Sequence, residues 1–349
     1  MITERTPMCA LFPLEVPMEI YQPQYYAGFR CLAGACPDSC CKEWAVQIDP
    51  DSAAKYRALP GQLGDVLRAA LSEEDGETYL LQQDGRCPMW REDGLCRLQA
   101  QLGEEALCKT CRDFPRLRHD YGSFVELGLE MSCPEAARMI FAAAPAPFTH
   151  TTVPGGEAPE YDTELMAALL HTRREALKLL SDPAYPVQNA LAILLLYGYA
   201  VQEEIDGGNP AVLRPDAMLA EARSLAQPGS VRKILDFYAR LEILTDAWRQ
   251  RLAAPEDAPW SDTFRPLARY CVERYWLQAV SDYDIVSRVK FTILSCLVVK
   301  SLGGNVVQTA QLYSKEIEND AENVEAILDS AYTSPALTDV ALLGILLEK

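Results

Sequence analysis

Nine of the chain's twelve cysteines, Cys31, Cys36, Cys40, Cys41, Cys87, Cys96, Cys108, Cys111 and Cys133, fall within a span of 103 residues. Thiolates are soft ligands. A pocket offering many of them and few imidazoles selects zinc, copper(I) or iron-sulfur clusters over magnesium or calcium. Imidazole is scarce here, since His119 alone of the three histidines lies inside the span. A disulfide framework would use the same residues, but it serves small secreted domains that cannot bury enough apolar surface. At 349 residues and 49% hydrophobic composition, this chain can build ordinary cores without one. The nine cysteines are therefore read as metal ligands. They outnumber the four of a single site, so two sites, or one site with accompanying structural thiols, both fit.

The local spacing sharpens this reading. The order is Cys31-x4-Cys36-x3-Cys40-Cys41, then Cys87-Pro, Cys96, Cys108-x2-Cys111 followed by Phe114-Pro115, and finally Cys133. A two-residue gap lets Cys108 and Cys111 point at one ion from a turn or helix start. Adjacent residues alternate faces in extended backbone, so Cys40 and Cys41 are expected to serve different surroundings. Lys109, Arg112, Arg116 and Arg118 crowd the same stretch. They could lower thiolate pKa values, offset the charge of a thiolate-ligated cluster, grip a carboxylate-bearing cofactor, or simply pair with Asp113, Asp120 and Glu104. Trp44 suits either a cation-binding aromatic wall or the apolar shell of the metal site.

The elements that must hold these residues divide the chain. Asp84-Gly85 and Asp93-Gly94 mark turns, with Thr78–Gln82, Cys87–Trp90 and Leu95–Leu98 read as short strands, so Cys87 and Cys96 sit on a hairpin or knuckle. Ser123–Met131 is strand-like and Pro134–Ala143 opens a helix with proline in its first turn. A Pro- and Gly-rich stretch from Ala144 to Gly156 reads as a linker or long loop. Beyond it, apolar residues recur at helical spacing. The expected helices are Thr163–Leu180, Val187–Glu204, Ala217–Ala226, Val231–Leu252, Thr263–Val280, Ile285–Leu302, Val306–Glu318, Asn323–Tyr332 and Leu337–Leu347. Cys271 and Cys296 fall in apolar helical settings as buried structural thiols. The expected fold is mainly α: an N-terminal extension (1–20), a cysteine-rich metal-binding module with short β-hairpins (21–143), a linker (144–160) and a helical C-terminal domain (161–349).

Net charge is −18, spread along the whole chain. Nucleic acid is therefore not an expected partner, because phosphate backbones are bound through clustered Lys and Arg. An acidic surface can instead draw in a lysine-bearing protein, or simply maintain solubility. No stretch reaches the roughly 18 consecutive apolar residues of a membrane span, and prolines and a glutamate interrupt the apolar run that begins at Met8, which argues against a signal peptide. A soluble cytoplasmic protein without a membrane partner is expected.

The cysteine pattern resembles that of the cysteine-cluster proteins counted as zinc- or iron-chelating domains. Around it, Phe29-Arg-Cys-Leu-Ala-Gly-Ala-Cys-Pro-Asp-Ser-Cys-Cys-Lys-Glu-Trp-Ala-Val-Gln-Ile-Asp49 is similar to the opening of one subgroup, the flagellin lysine N-methylases. Tyr313-Ser-Lys-Glu-Ile-Glu-Asn-Asp-Ala-Glu-Asn323 is similar to that subgroup's C-terminal half, so the resemblance runs from Tyr21 to about Ala331. It implies a protein-lysine N-methyltransferase that takes methyl groups from S-adenosylmethionine, acts on surface lysines of flagellin and carries an iron-sulfur cluster. Spacing alone leaves zinc open, and the irregular gaps together with the resemblance favour iron-sulfur.

The standard donor-binding motifs are missing: no acidic-x-Gly-x-Gly-x-Gly turn follows a strand, and a Cys-x3-Cys-x2-Cys run fails because its third position is Glu43. Arg112, Arg116 and Trp44 are the candidates for cofactor binding. Methyl transfer to lysine needs a neutral amine, so an ammonium with pKa about 10.4 must first lose a proton. Tyr25, Tyr26, Glu43, Tyr313, Glu316 and Glu318 could accept or relay it. A non-enzymatic metal chelator or carrier and a structural-zinc interaction protein are the alternatives.

Overall fold

The computed structural model describes residues 16–348, so Cys9 and the N-terminal stretch read for a signal peptide lie outside the described residues. The fold is mainly α, with two small sheets. Strands β1 (Val16–Gln22), β5 (Arg116–Asp120), β6 (Phe124–Leu129) and β7 (Thr149–Gly156) form one sheet in the order β5-β6-β1-β7. Strand β1 runs parallel to β6 and antiparallel to β7. A linker was expected at residues 144–160, and Val16–Ile20 was expected to be an extension; both instead supply strands. Their Thr-rich and β-branched residues suit a half-exposed edge, and Thr152 donates its hydroxyl to Glu19 at 2.8 Å.

The second sheet, β2-β4-β3, consists of β2 (Val46–Ile48), β3 (Leu71–Glu74) and β4 (Glu77–Leu80), all antiparallel. Helices α1 (Pro50–Ala58) and α2 (Gly61–Ala70) pack on it, and Asp49 caps α1 by accepting from Ser52 N–H. Val46, Ile48, Tyr56, Leu67, Leu80, Met89 and Leu98 form a small core of their own together with Cys87 and Cys108. The short helices α3 (Arg97–Leu102) and α4 (Lys109–Asp113) follow, and then α5 (Pro134–Ala142). Leu95–Leu98 was expected to be a strand, but from Arg97 onward it becomes α3.

From residue 163 onward the chain is helical: α6 (Thr163–Ser181), α7 (Val187–Ile205), α8 (Pro215–Leu225), α9 (Val231–Tyr238), α10 (Asp246–Ala253), α11 (Arg265–Tyr275), α12 (Ala279–Asp282), α13 (Val286–Leu302), α14 (Val306–Tyr313), α15 (Ala321–Thr333) and α16 (Asp339–Leu346). Helices α7 and α13 are apolar around most of their circumference and form the centre of one large core. The helix expected over Val231–Leu252 is broken at Thr245, whose hydroxyl accepts from Trp248 N–H at 3.1 Å and so caps a new helix. Past Tyr313, α14 widens into a π-helical turn, Ser314–Glu318, every residue of which is buried. Single π turns inside α-helices gather at functional sites.

Candidate functional site: a cavity lined by cysteines

The nine cysteines arrive on five separate segments. Cys31 and Cys36 flank a short helical turn at Ala33–Ala35, and Cys40 and Cys41 precede β2. Cys87 and Cys96 close a knuckle: Trp90 N–H donates to Cys87 O at 2.9 Å, Arg91 N–H donates to Leu95 O at 2.9 Å, and Trp90 bridges Cys96. This is the expected knuckle, made by a turn and an isolated bridge rather than by paired strands. Cys108 sits at the N-cap of α4 with Cys111 inside that helix, and Cys133 sits at the N-cap of α5. Two glycines allow the loops to meet. A Cβ on Gly34 would lie 2.5 Å from Asp93 O, and Gly94, at φ +78°, would bring one within 2.9 Å of Gly34 Cα.

Together these segments line one cavity of about 580 Å³, and all nine cysteines border it. The thiols fall into two neighbourhoods. Cys40 and Cys133 feel Cys31, and Cys133 also feels Cys36. Cys87 and Cys96 feel Cys41 and Cys108, and these four belong to the small core around β2. Cys111 stands between the groups, close to Cys108, Cys41 and Cys40. Cys40 and Cys41 therefore do serve different surroundings, although their thiols also hydrogen-bond each other.

The electrostatics follow from this pairing. A hydrogen bond from Cys40 pulls Cys41 down to about 7, and one from Cys111 pulls Cys108 to about 7. Burial pushes Cys87 up to about 12 and Cys133 to about 11. The described cysteines are all free thiols. Among the described residues, no three His, Cys, Asp or Glu side chains stand together in metal-coordinating geometry. The donor chemistry fits a soft metal, whereas coordination would require the two thiol–thiol hydrogen bonds to open and the side chains to turn inward.

Arg112 and Arg116 border the cavity with the thiols. Arg112 lies 3.6 Å from Asp113, and the Arg116 guanidinium lies 5.2 Å from the Phe29 ring. Arg118 points elsewhere and pairs with Asp120 at 2.6 Å. Lys109 contributes its backbone N–H to Asp49 at 2.8 Å. Trp44 also lines the cavity, and the cation against it, 5.2 Å from the ring, is the chain's own Lys315. Lys315 comes from the π turn and is 2% exposed, with Asp38 at 2.9 Å and Glu43 at 2.6 Å. Gln311 adds a second tie, donating to Asp38 at 2.9 Å and to Ser132 O at 2.7 Å. Asp38 thus fastens the loop between Cys36 and Cys40 to the helical half. Glu43, at φ +75°, holds a backbone conformation that side-chain-bearing residues seldom adopt.

Over 128 residues, the chain is 35% identical to the flagellar biosynthetic protein FliU of Salmonella muenchen, a match covering 35% of this chain and 76% of that protein. The chain belongs to the flagellin lysine methylase family. Over the same length it is 35% identical to proteins named lysine-N-methylase from Salmonella typhimurium and Salmonella choleraesuis, each match covering 35% of this chain and 32% of the relative. The chain thus aligns with about a third of the length of those two relatives. No family model and no solved structure matches the chain.

The six residues considered for proton transfer are scattered across this family member. Tyr25 is half-buried, and desolvation raises its pKa, as does nearby Glu273. Burial also raises Tyr26. Tyr313 is locked among Ser295 and Tyr238 at 3.0 and 3.2 Å. Glu316 accepts from Leu244 N–H at 2.8 Å and from the Thr245 hydroxyl. Glu43 is held by Lys315, which leaves Glu318, taken up below. Sequence reasoning did not single out Asp38, Gln311 or Lys315; the only signal was a lysine among acids in the segment 313–323, which cannot reveal a partner more than 270 residues away. No described helix is long and apolar enough to cross a membrane.

Proposed function

We propose that this chain is a protein-lysine N-methyltransferase that acts on flagellin, taking its methyl groups from S-adenosylmethionine. The observation that carries this reading is the 35% identity with proteins named lysine-N-methylase and FliU. Residues 21–143 form its cysteine-rich metal-binding module and 161–349 its helical domain, working in the cytoplasm. An iron-sulfur cluster, with zinc as the alternative, belongs in the cysteine cavity. Cys31, Cys36, Cys40 and Cys133 on one side and Cys41, Cys87, Cys96 and Cys108 on the other would hold it, with Cys111 between them. When bound, it supplies a soft thiolate-ligated centre that locks five segments together and offers one-electron chemistry. Arg112 and Arg116 offset its negative charge, or hold the carboxylate of the methyl donor.

Incubation with flagellin and S-adenosylmethionine tests the proposal: flagellin lysines gain mass in steps of one methyl group. No gain with metal-loaded protein under reducing conditions, across several flagellins, would refute it. The chelator reading draws on Cys31 and Cys111, which keep surface open to solvent. It requires metal that exchanges readily, whereas the enzyme would retain its cluster through dialysis.

A further inference from the structure

A second cavity, of about 570 Å³, opens on the far side of the π turn, bordered by β5, α11, the start of α13 and one face of α15. Its walls differ from those of the cysteine cavity. Val324 and Leu328 give an apolar side, and Asp282, Asp284, Glu318, Glu325 and Asp329 surround it against the single cation Arg274. Arg274 is already engaged, with Glu318 at 3.3 Å and Glu130 at 3.9 Å. Asp282 is taken by Arg288 at 2.7 Å, and Asp284 accepts from the Tyr332 hydroxyl at 2.6 Å. Glu325 and Asp329, one turn apart and exposed on α15, make no ion pair or carboxylate hydrogen bond among the described residues.

Two buried polar atoms border the same space without a hydrogen bond of normal geometry. His119 Nε2 has none, and burial, reinforced by Arg274, lowers the imidazole's pKa. Ser287, 1% exposed, gives its backbone N–H to Asp284 at 3.1 Å, and its hydroxyl lies near the same carboxylate without closing a hydrogen bond of normal geometry. Orphaned polar atoms facing an acidic, partly apolar cavity call for a ligand that is aliphatic along its length and a cationic hydrogen-bond donor at its tip. The π turn lies between the two cavities: its Lys315 pairs with Asp38 on the wall of the first, and its Glu318 borders the second.

Resting on the methylase reading, we propose that this cavity receives a lysine side chain of the protein substrate. The methylenes lie on Val324 and Leu328. The ammonium is drawn in by Glu325 and Asp329 and donates to His119 or Ser287.

The test uses the full-length, metal-loaded protein and a lysine-bearing flagellin peptide, compared with the same peptide acetylated on its lysines. Affinity is read by calorimetry and methyl transfer by mass spectrometry. Acetylation should weaken binding about tenfold, and the double change Glu325→Gln/Asp329→Asn, at exposed positions that leave the fold intact, should weaken the unmodified peptide by roughly fivefold while leaving the acetylated one unaffected. His119→Phe should weaken it further. Unchanged affinity in the double variant overturns the site, whatever the methylation result. Cation-dependent binding lost in the double variant upholds the site, even where the wild-type protein transfers no methyl group and the methylase reading itself falls.

Discussion

Two populations of cysteine share this chain, and burial alone does not separate them. Cys271 and Cys296 are 1% and 0% exposed in the large helical core, where desolvation pushes both thiols well up and leaves them as small apolar groups. Cys87 and Cys108 are almost as buried, at 7% and 1%, yet they face a cavity that seven other cysteines also border. The difference is the setting: Cys271 and Cys296 are packed inside the large helical core, with only each other as thiol neighbours, whereas Cys87 and Cys108 sit on a cavity wall shared with seven more thiols. A thiol among aliphatic side chains is satisfied by packing. One among thiols gains most from a shared metal.

Replacing the two kinds of cysteine should break the comparison most sharply. Cys108→Ala and Cys111→Ala should each lose metal almost completely, together with the visible thiolate-to-iron charge transfer of anaerobically purified protein. Cys271→Ala and Cys296→Ala should retain full metal content and lose only packing, about 1–2 kcal/mol each. Equal metal content in both groups, or a colourless protein carrying zinc alone, would overturn the division or the choice of metal.

Both halves carry carboxyls shifted by burial, and pH exposes them. Burial, opposed by Arg173 and Arg269, raises Glu273 to about 7, and burial likewise raises Glu130 to about 7. A carboxyl whose folded pKa lies above its unfolded value binds its proton more tightly when folded. Its contribution is fully present below about pH 4.5 and is lost as pH rises through about 7. Each group can account for on the order of 3 kcal/mol over that window. Denaturant titrations from pH 4.5 to 7.5 should therefore show falling stability in the wild type and a flatter profile in Glu273→Gln. Identical slopes would count against this origin.

The tie between the two halves should have a smaller effect. Lys315→Met keeps the side-chain length but leaves Asp38 and Glu43 without their cation. Those acids are 28% and 40% exposed, so water recovers part of the interaction and the cost should be about 2 kcal/mol, below the roughly 3–5 kcal/mol of a fully buried pair. The informative readout is metal retention. If Asp38 holds the Cys36–Cys40 loop in place, the variant should release metal to a chelator several times faster than wild type; an unchanged rate would reduce Lys315 to a packing residue.

The sequence was legible where local physics decides. Helices with sustained apolar periodicity, such as α7 and α13, appear within a residue or two of their expected ends. The breaks that depend on a remote partner were not legible. Thr245 starts a new helix where Glu316 accepts from it and from Leu244, and neither residue signals the other in sequence. Strand β7 was hidden in a Pro- and Gly-rich stretch because its pairing partner β1 lies some 130 residues earlier. At the site, residue type singled out the nine cysteines that line the first cavity, while the second cavity draws on β5, α11, α13 and α15 at once and leaves no local motif.

The smallest expected effect separates the cations near Cys111. Arg116 and Arg118 sit two residues apart on β5, where side chains at that spacing share a face, yet only Arg116 borders the cysteine cavity. The Arg118 side chain is 50% exposed and pairs with Asp120, so removing it disrupts a screened surface contact worth at most about 1 kcal/mol. Arg118→Ala should leave metal content, visible spectrum and methyl transfer at wild-type levels. Arg116→Ala withdraws a guanidinium from the ring of Phe29 and from the thiolate-lined space, and should shift the reduction potential of the bound centre downward, because a positive neighbour favours the more negative reduced state. Voltammetry on the two variants side by side checks this. Equal potentials would mean that Arg116, like Arg118, serves only the surface.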